Sequence, residues 1–355
     1  MAAGSDIRSA TGFFWDGPFS ISRLLLSEQP AFYQDQADKS RLSSMPTTGD
    51  ASGSKGVFQE LVRGRWVFLL FHLSLGAYCA GVTLRPIATL MVWLMMQVGI
   101  HAGHHRYFAH RSFRTYPWFE FVLGAAGCLA LQNGPIWWSA KHRIHHLHAD
   151  TELDNHSPSK SFWHSHIGWL LADGVGDIEW HYVSDLRRPI PLWIESHQDW
   201  IHGLYVMTIL LLGGWQSLLN CWVLPIVICW HTTFSTNSFC HVLGTRPHKC
   251  QPGAVCNARN NLLVAIINLG EGWHNNHHAN PSLGHHGYYR WYQIDIVYTV
   301  LLAWEWLGLI WQLKRRRQGH RDQVNSRLSR LLTRPRRVLR AAVSPFSGRP
   351  WRDPQ

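Results

Sequence analysis

His105-Arg-Tyr-Phe-Ala-His110, His142-Arg-Ile-His145-His146 and His274-Asn-Asn-His277-His278 decide the reading of this 355-residue chain. Imidazole is the side chain best suited to bind a first-row metal while neutral. Eight imidazoles in three places exceed what one tetrahedral or octahedral ion needs, so the pattern predicts two metals. In a helix, positions i, i+3 and i+4 share a face, so His142/His145/His146 and His274/His277/His278 each present a ligand set. The i, i+5 spacing of His105 and His110 suits no single helical face. It predicts that a helix ends there and the chain bends, with Gly103 nearby.

Each cluster follows an apolar stretch. No charged residue occurs from Trp66 to Leu84, or from Pro86 to His105, and each run is near the ~20 residues needed to cross a bilayer as a helix. Thr83-Leu84-Arg85-Pro86 predicts a tight hairpin between them. Between Asp199 and Arg246 there is no Asp, Glu, Lys or Arg, which predicts a second hairpin turning between Gly213-Gly214 and Asn220. Four spans result, at about 66–84, 86–104, 200–215 and 219–238. Thr115–Ala140 carries only Glu120, but a crossing there would put His105/His110 and the 142–146 cluster on opposite faces. It is expected at the interface or inside a cap. Ile294–Leu313, with only Asp295 and Glu305, is expected as an amphipathic interfacial helix whose acidic residues turn away from lipid.

Two hairpins place every His cluster and both termini on one side. Arg63, Arg65, Arg106, Arg111, Arg114, Lys141, Arg143, Arg187, Arg188 and Lys314 to Arg317 share that face, against Arg85 alone on the other, so the His side is expected to be cytoplasmic. The fold class expected is an all-α membrane protein, with four transmembrane helices under a cytoplasmic helical cap. Residues 1–55 are read as a flexible leader, 56–313 as the membrane domain and 314–355 as a basic tail. The leader shows no secretory signal.

The formal charge of +11 is explained by basic cytoplasmic flanks, without nucleic acid as a partner, and the 20 Trp residues fit interfacial anchoring. The seven Cys are odd in number and lack C-x-x-C spacing, so they are expected reduced in the core. His72, His181, His197 and His320 are read as ordinary surface or core residues. A metal-storage or transport protein fits less well, because transporters place ionisable ligands at mid-bilayer and these clusters follow the spans. Imidazole ligands suit iron, and two irons can activate O2 against an unactivated C–H bond. A substrate bond in a lipid tail would explain the membrane mooring.

Residues 60–314 resemble the membrane fatty acid desaturases, specifically the bacterial form of the delta-9, stearoyl-CoA-like group. The stretches that match are Gly99-Ile-His-Ala-Gly-His-His-Arg-Tyr-Phe-Ala-His110, Trp138-Ser-Ala-Lys-His-Arg-Ile-His-His146, Ser165-His-Ile-Gly-Trp169, Asn237-Ser-Phe-Cys-His241 and Asn268-Leu-Gly-Glu-Gly-Trp-His-Asn-Asn-His-His278. The resemblance implies nine iron ligands, adding His241 to the eight above, and implies that Asn237 holds a water at one metal. It implies an O2-dependent cis desaturation of an acyl chain carried on CoA or lipid. It also implies two electrons from an external donor such as cytochrome b5 or ferredoxin with its reductase. A hydroxylase on the same scaffold is the nearest rival; a non-catalytic His-rich metal-binding protein is the rival of another class. Ala140 and Lys141 stand where the animal acyl-CoA members carry an Arg-Asp pair, which puts CoA recognition in doubt. His101, His104 and His148 are read as polar cap residues, weighed against groups that back the metal ligands. Trp93 is a candidate floor for the acyl tunnel, weighed against a core or lipid-facing Trp.

Overall fold

The computed structural model describes residues 66–81, 84–172, 174–250 and 255–316. Among these the regular secondary structure is almost wholly helical. Helix α1 is Trp66–Gly81 and α2 is Pro86–Val98, with proline at its first turn, where the missing N–H costs nothing. α2 runs directly into a π-helix, Gly99–Ala109. After a two-residue strand β1, Arg114–Thr115, come α3, Pro117–Cys128, and α4, Pro135–His148. Short α5, Phe162–His166, leads to α6, Pro189–Leu218, and through Leu219–Val223 to α7, Leu224–Val242. α8 (Leu262–Ile267), α9 (His274–Ala279), α10 (Ile296–Trp306) and β2 (Ile310–Trp311) complete the order. Asn261 and Asp295 cap α8 and α10, each carboxyl or amide oxygen accepting a backbone N–H three residues on.

The expected bend after His105 does not occur; the helix continues in π form. A π-helix closes i→i+5 hydrogen bonds, and the His110 N–H donates to the His105 carbonyl at 3.1 Å. Five residues then make little more than one turn, so the spacing that fits no α-helical face is the spacing a π face requires. Two glycines let this segment seat against α3. A Cβ on Gly99 would lie 2.5 Å from the Ala126 carbonyl carbon, and one on Gly103 would lie 2.7 Å from the Leu123 carbonyl oxygen.

Among the described residues, two helical runs are long and apolar enough to cross a membrane, Pro86–Ala109 and Pro189–Val242. The second reverses at Gly214, whose φ of 66° breaks the helix. Trp222 donates its indole N–H to His202 at 2.6 Å, although 20 residues of straight helix would separate them by ~30 Å. The Arg85 N–H donates to Asn220 and its guanidinium to Ser217, so the chain beside the first expected turn meets the second. Ile87, Trp200, Leu211 and Leu212 project outward from these runs, each at least 77% exposed. Such apolar surface marks membrane association.

Thr115–Ala140 does not carry its two ends apart: His110 and His142 meet at 2.7 Å. One buried cluster, including Phe108, Leu123, Ile136 and Leu301, joins the π-helix to α3, α4 and α10. A second, with Met96, Ile100, Ile226 and Phe234, joins α2 to α7. Trp93 packs against both clusters as a core residue. Antiparallel β1–β2 pairing (Arg114 opposite Trp311) ties the end of α10 to the chain just past His110. As expected for 294–313, the acidic residues of α10 turn inward, Asp295 onto Arg106 and Glu305 onto Arg315, while Ile296, Trp306 and Leu307 are exposed. Cys250 and Cys256 form a disulfide, which corrects the expectation for that pair: both lie outside the core helices, six positions apart in the chain. Cys128, Cys221, Cys229 and Cys240 are free. His320 and the tail beyond residue 316, like residues 1–65, lie outside the described residues.

Candidate metal centre

Four elements converge on the histidines. The π-helix brings His105 and His110, α4 brings His142, His145 and His146, α7 brings His241, and α9 brings His274, His277 and His278. α4 is held from outside: the Glu195 carboxyl of α6 accepts the N–H groups of Ile136 and Trp137 at its first turn, donors that the helix itself leaves unpaired.

The rings fall into two sets. His105, His110, His142, His146 and His277 form one, and His145, His241, His274 and His278 the other; in each, the ligand atoms lie within 4.8 Å of one another. In the first set Nε2–Nε2 separations are 3.0 Å for His105–His277, 2.7 Å for His110–His142, 3.0 Å for His142–His146 and 2.9 Å for His146–His277. In the second they are 3.2 Å for His145–His278 and 3.0 Å for both His241–His274 and His274–His278. All nine ligand candidates are present in the two sets, His241 among them.

Three carboxylates set the tautomers. His105 Nδ1–H donates to Glu271 at 2.9 Å, His145 Nδ1–H to Asp154 at 2.9 Å and His241 Nδ1–H to Asp150 at 3.0 Å. A proton fixed on Nδ1 leaves an Nε2 lone pair aimed at the opposing ring. Facing lone pairs at such distances repel unless a cation lies between them. Metal–imidazole bonds of about 2.1 Å at right angles would put neighbouring nitrogens about 3.0 Å apart. The donor set therefore fits two metal ions.

Electrostatics agree. Burial first, then repulsion among neighbouring rings, holds His142, His146, His274, His277 and His278 well below the usual imidazole value, in the neutral form that ligates. Burial alone would raise the Glu271 carboxyl, but the Arg106 guanidinium at 2.7 Å, with His286 and His105, holds it well below. Asp150 and Asp154 are likewise held down against burial by their histidines. His145 moves the other way: the Asp154 charge overrides burial and raises it. That proton is the one a metal would displace.

These carboxylates escaped the sequence reading. Glu271 stands within the matched Asn268-Leu-Gly-Glu-Gly-Trp-His stretch, and Asp150 and Asp154 follow the second cluster closely, but nothing in their spacing names a partner. Asp150 takes a φ of 64°, which Asp tolerates better than most residues. His101 departs from its reading as a cap residue. It is buried, 2.8 Å from the Asn268 amide oxygen and 4.0 Å from Glu271, behind His105. His104 lies 3.2 Å from the Gly124 carbonyl, and His148 beside Tyr182. His197 stacks on Trp193 and His181 meets Tyr182 at a tilt, whereas His72 lies 3.2 Å from His231.

A cavity of about 900 Å³, counting its open mouth, reaches the first set. His142 and Asn237 are in its wall, with Trp137, Trp138, Trp169, Trp230 and Phe234 supplying apolar surface. Trp93 is not among the residues that line this cavity. Lys141 also lines it and is paired with Glu179 at 2.5 Å.

Residues 80–306 match the family model of fatty acid desaturases. The chain is 34% identical over 260 residues to an sn-2 palmitoyl-lipid 9-desaturase of Nostoc sp. (strain 36), covering 69% of this chain and 88% of that one. It is 36% identical over 260 residues to an sn-1 stearoyl-lipid 9-desaturase of Anabaena variabilis (70% and 93% covered). It is 31% identical over 295 residues to a hex-5-enoyl-[acyl-carrier protein] acetylenase of Moorena producens (strain JHB), 74% and 90% covered. The chain belongs to the fatty acid desaturase family, and is an oxidoreductase of acyl chains.

Proposed function

We propose that this protein introduces a cis double bond at the delta-9 position of lipid-bound acyl chains, using two iron ions and O2. The observation that carries the reading is the pair of imidazole sets, the first of which reaches an apolar cavity through His142. The position and the lipid carrier are supported by the two 9-desaturases named above. His105, His110, His142, His146 and His277 would hold one iron, and His145, His241, His274 and His278 the other, with Asn237 holding a water at one of them. The bound irons would supply the O2-derived oxidant that removes hydrogen from unactivated methylenes.

The chain's own residues do the rest. Glu271, Asp150 and Asp154 hold the Nδ1 protons of His105, His241 and His145 and so aim their Nε2 atoms at the metal sites. Trp137, Trp138, Trp169 and Phe234 exclude water and align the acyl tail past His142, which supplies proximity and orientation. We further read the two membrane-length runs and α1 as four spans. In that reading the His sets lie in a cytoplasmic cap, and a leader (1–55) and basic tail (314–355) flank the domain. Electrons would come from cytochrome b5 or ferredoxin with its reductase.

The test is fatty acid profiling of a host lacking its own desaturase, expressing this chain or His277→Ala with a compatible reductase and carrier. New delta-9 monoenes that vanish in the variant are expected. Hydroxy acids would move the chain to a hydroxylase, and no product from an iron-loaded, reduced protein would leave only metal binding.

A further inference from the structure

Outside the metal sets, the described surface carries a basic cluster centred on His248. His248 stacks on Tyr288 and meets Tyr289 edge-on at 4.5 Å. The Arg316 guanidinium lies over the Tyr288 ring and that of Arg290 over Tyr289. Arg246 and Lys249 flank His248 in the chain, and all four cations are exposed. From Val242 to Ile294 the only acidic residue is Glu271, which is buried. No carboxylate in that stretch neutralises the patch.

Its underside touches the ligand helix. The His248 N–H donates to the Asn275 side chain at 2.8 Å, and Asn275 donates back to the His248 carbonyl at 3.0 Å. Asn275 lies between His274 and His277. Cys256, whose carbonyl accepts from Arg246, places its sulfur 3.4 Å from His278 Nδ1. Two short contact routes therefore join this surface to the second imidazole set.

We propose that an acidic one-electron carrier docks on the surface formed by Arg246, Lys249, Arg290 and Arg316, and that electrons reach the second set from there. The inference rests on the desaturase reading. In each turnover two reduced carriers would each give one electron; with two protons and O2, the acyl –CH2–CH2– becomes –CH=CH– and two waters form. Complementary charge of this kind acts mainly on encounter and is screened by salt.

The experiment compares wild type with K249E/R290E in vesicles, using a reduced acidic [2Fe–2S] ferredoxin. Olefin yield after stoichiometric dithionite reduction is measured alongside. The expected result is a carrier KM raised about tenfold or more at low ionic strength, with loss of its salt dependence and an unchanged dithionite yield. An unchanged KM beside a salt-dependent wild type would overturn the docking site while leaving the desaturase reading intact. An unchanged KM in a variant that instead loses its response to vesicle phosphatidylglycerol would assign the patch to the membrane surface and also overturn it. No olefin from wild type under dithionite would sink the desaturase reading, and this inference with it.

Discussion

Replacing Glu271 with Gln separates the two imidazole sets. Glu271 is 2% exposed and accepts from His105 Nδ1 at 2.9 Å and Arg106 at 2.7 Å, with His286 Nδ1 at 3.3 Å. The amide keeps the shape and one acceptor but loses the charge that holds His105 as an Nδ1–H, Nε2-lone-pair tautomer. Loss of such a supporting carboxylate costs about 10–100-fold in metal affinity, or ~1.4–2.7 kcal/mol. Arg106 keeps Asp295 at 3.0 Å and the Gly284 carbonyl at 2.7 Å, so the buried cation is not stranded and the fold should survive. The second set depends instead on Asp150 and Asp154 and should be untouched. Titrating apoprotein with ferrous iron should show two tight sites in wild type, and in E271Q one tight site and one weakened by that factor. Asp154→Asn should give the same pattern, with the surviving site in the first set. Two tight sites in E271Q, or equal weakening of both, would refute the reasoning.

Three further outcomes follow from packing. Gly103→Val should lower the melting temperature and the iron content together, because its Cβ would meet the Leu123 backbone oxygen at 2.7 Å and overpacking costs ~1–3 kcal/mol; thermal unfolding with unchanged Tm would contradict the close approach. Trp230→Ala should extend the accepted acyl chain lengths, since Trp230 lines the cavity, while Trp93→Ala should not; chain-length profiling that shows the reverse would restore Trp93 as the floor. Asp185→Asn should destabilise by ~1.5–3 kcal/mol, the range for hydrogen bonds to a charged group, because the pair is only partly buried. Asp185 binds both Arg111 and Arg143, and Arg143 also donates to the Phe108 and Ala109 carbonyls at the π-helix end; a denaturation midpoint within error of wild type would show that this anchor is dispensable.

Much of the centre was legible in the sequence because metal ligation demands a residue type and a spacing. His142/His145/His146 and His274/His277/His278 follow the α-helical face, and the structure keeps each trio on one helix. His241 was legible only through family resemblance: a lone His on α7 has no local pattern. The π-helix was missed because α-helical spacing is the default against which i, i+5 looks like a break, although that spacing is the signature of π geometry when both residues serve one site. Glu271, Asp150 and Asp154 were missed for a different reason. Their partners lie 166, 91 and 9 residues away, and a carboxylate's sequence neighbours do not say which ring it will hold. Cys250 and Cys256 were read from the odd cysteine count and the lack of C-x-x-C spacing, neither of which says which two sulfurs the fold brings together.

Anomalous diffraction at the iron edge from crystals of the iron-loaded protein tests the central claim most directly. The account predicts two peaks per chain, one among His105, His110, His142, His146 and His277 and the other among His145, His241, His274 and His278. A single peak, or scattering that follows the zinc edge instead, would contradict it.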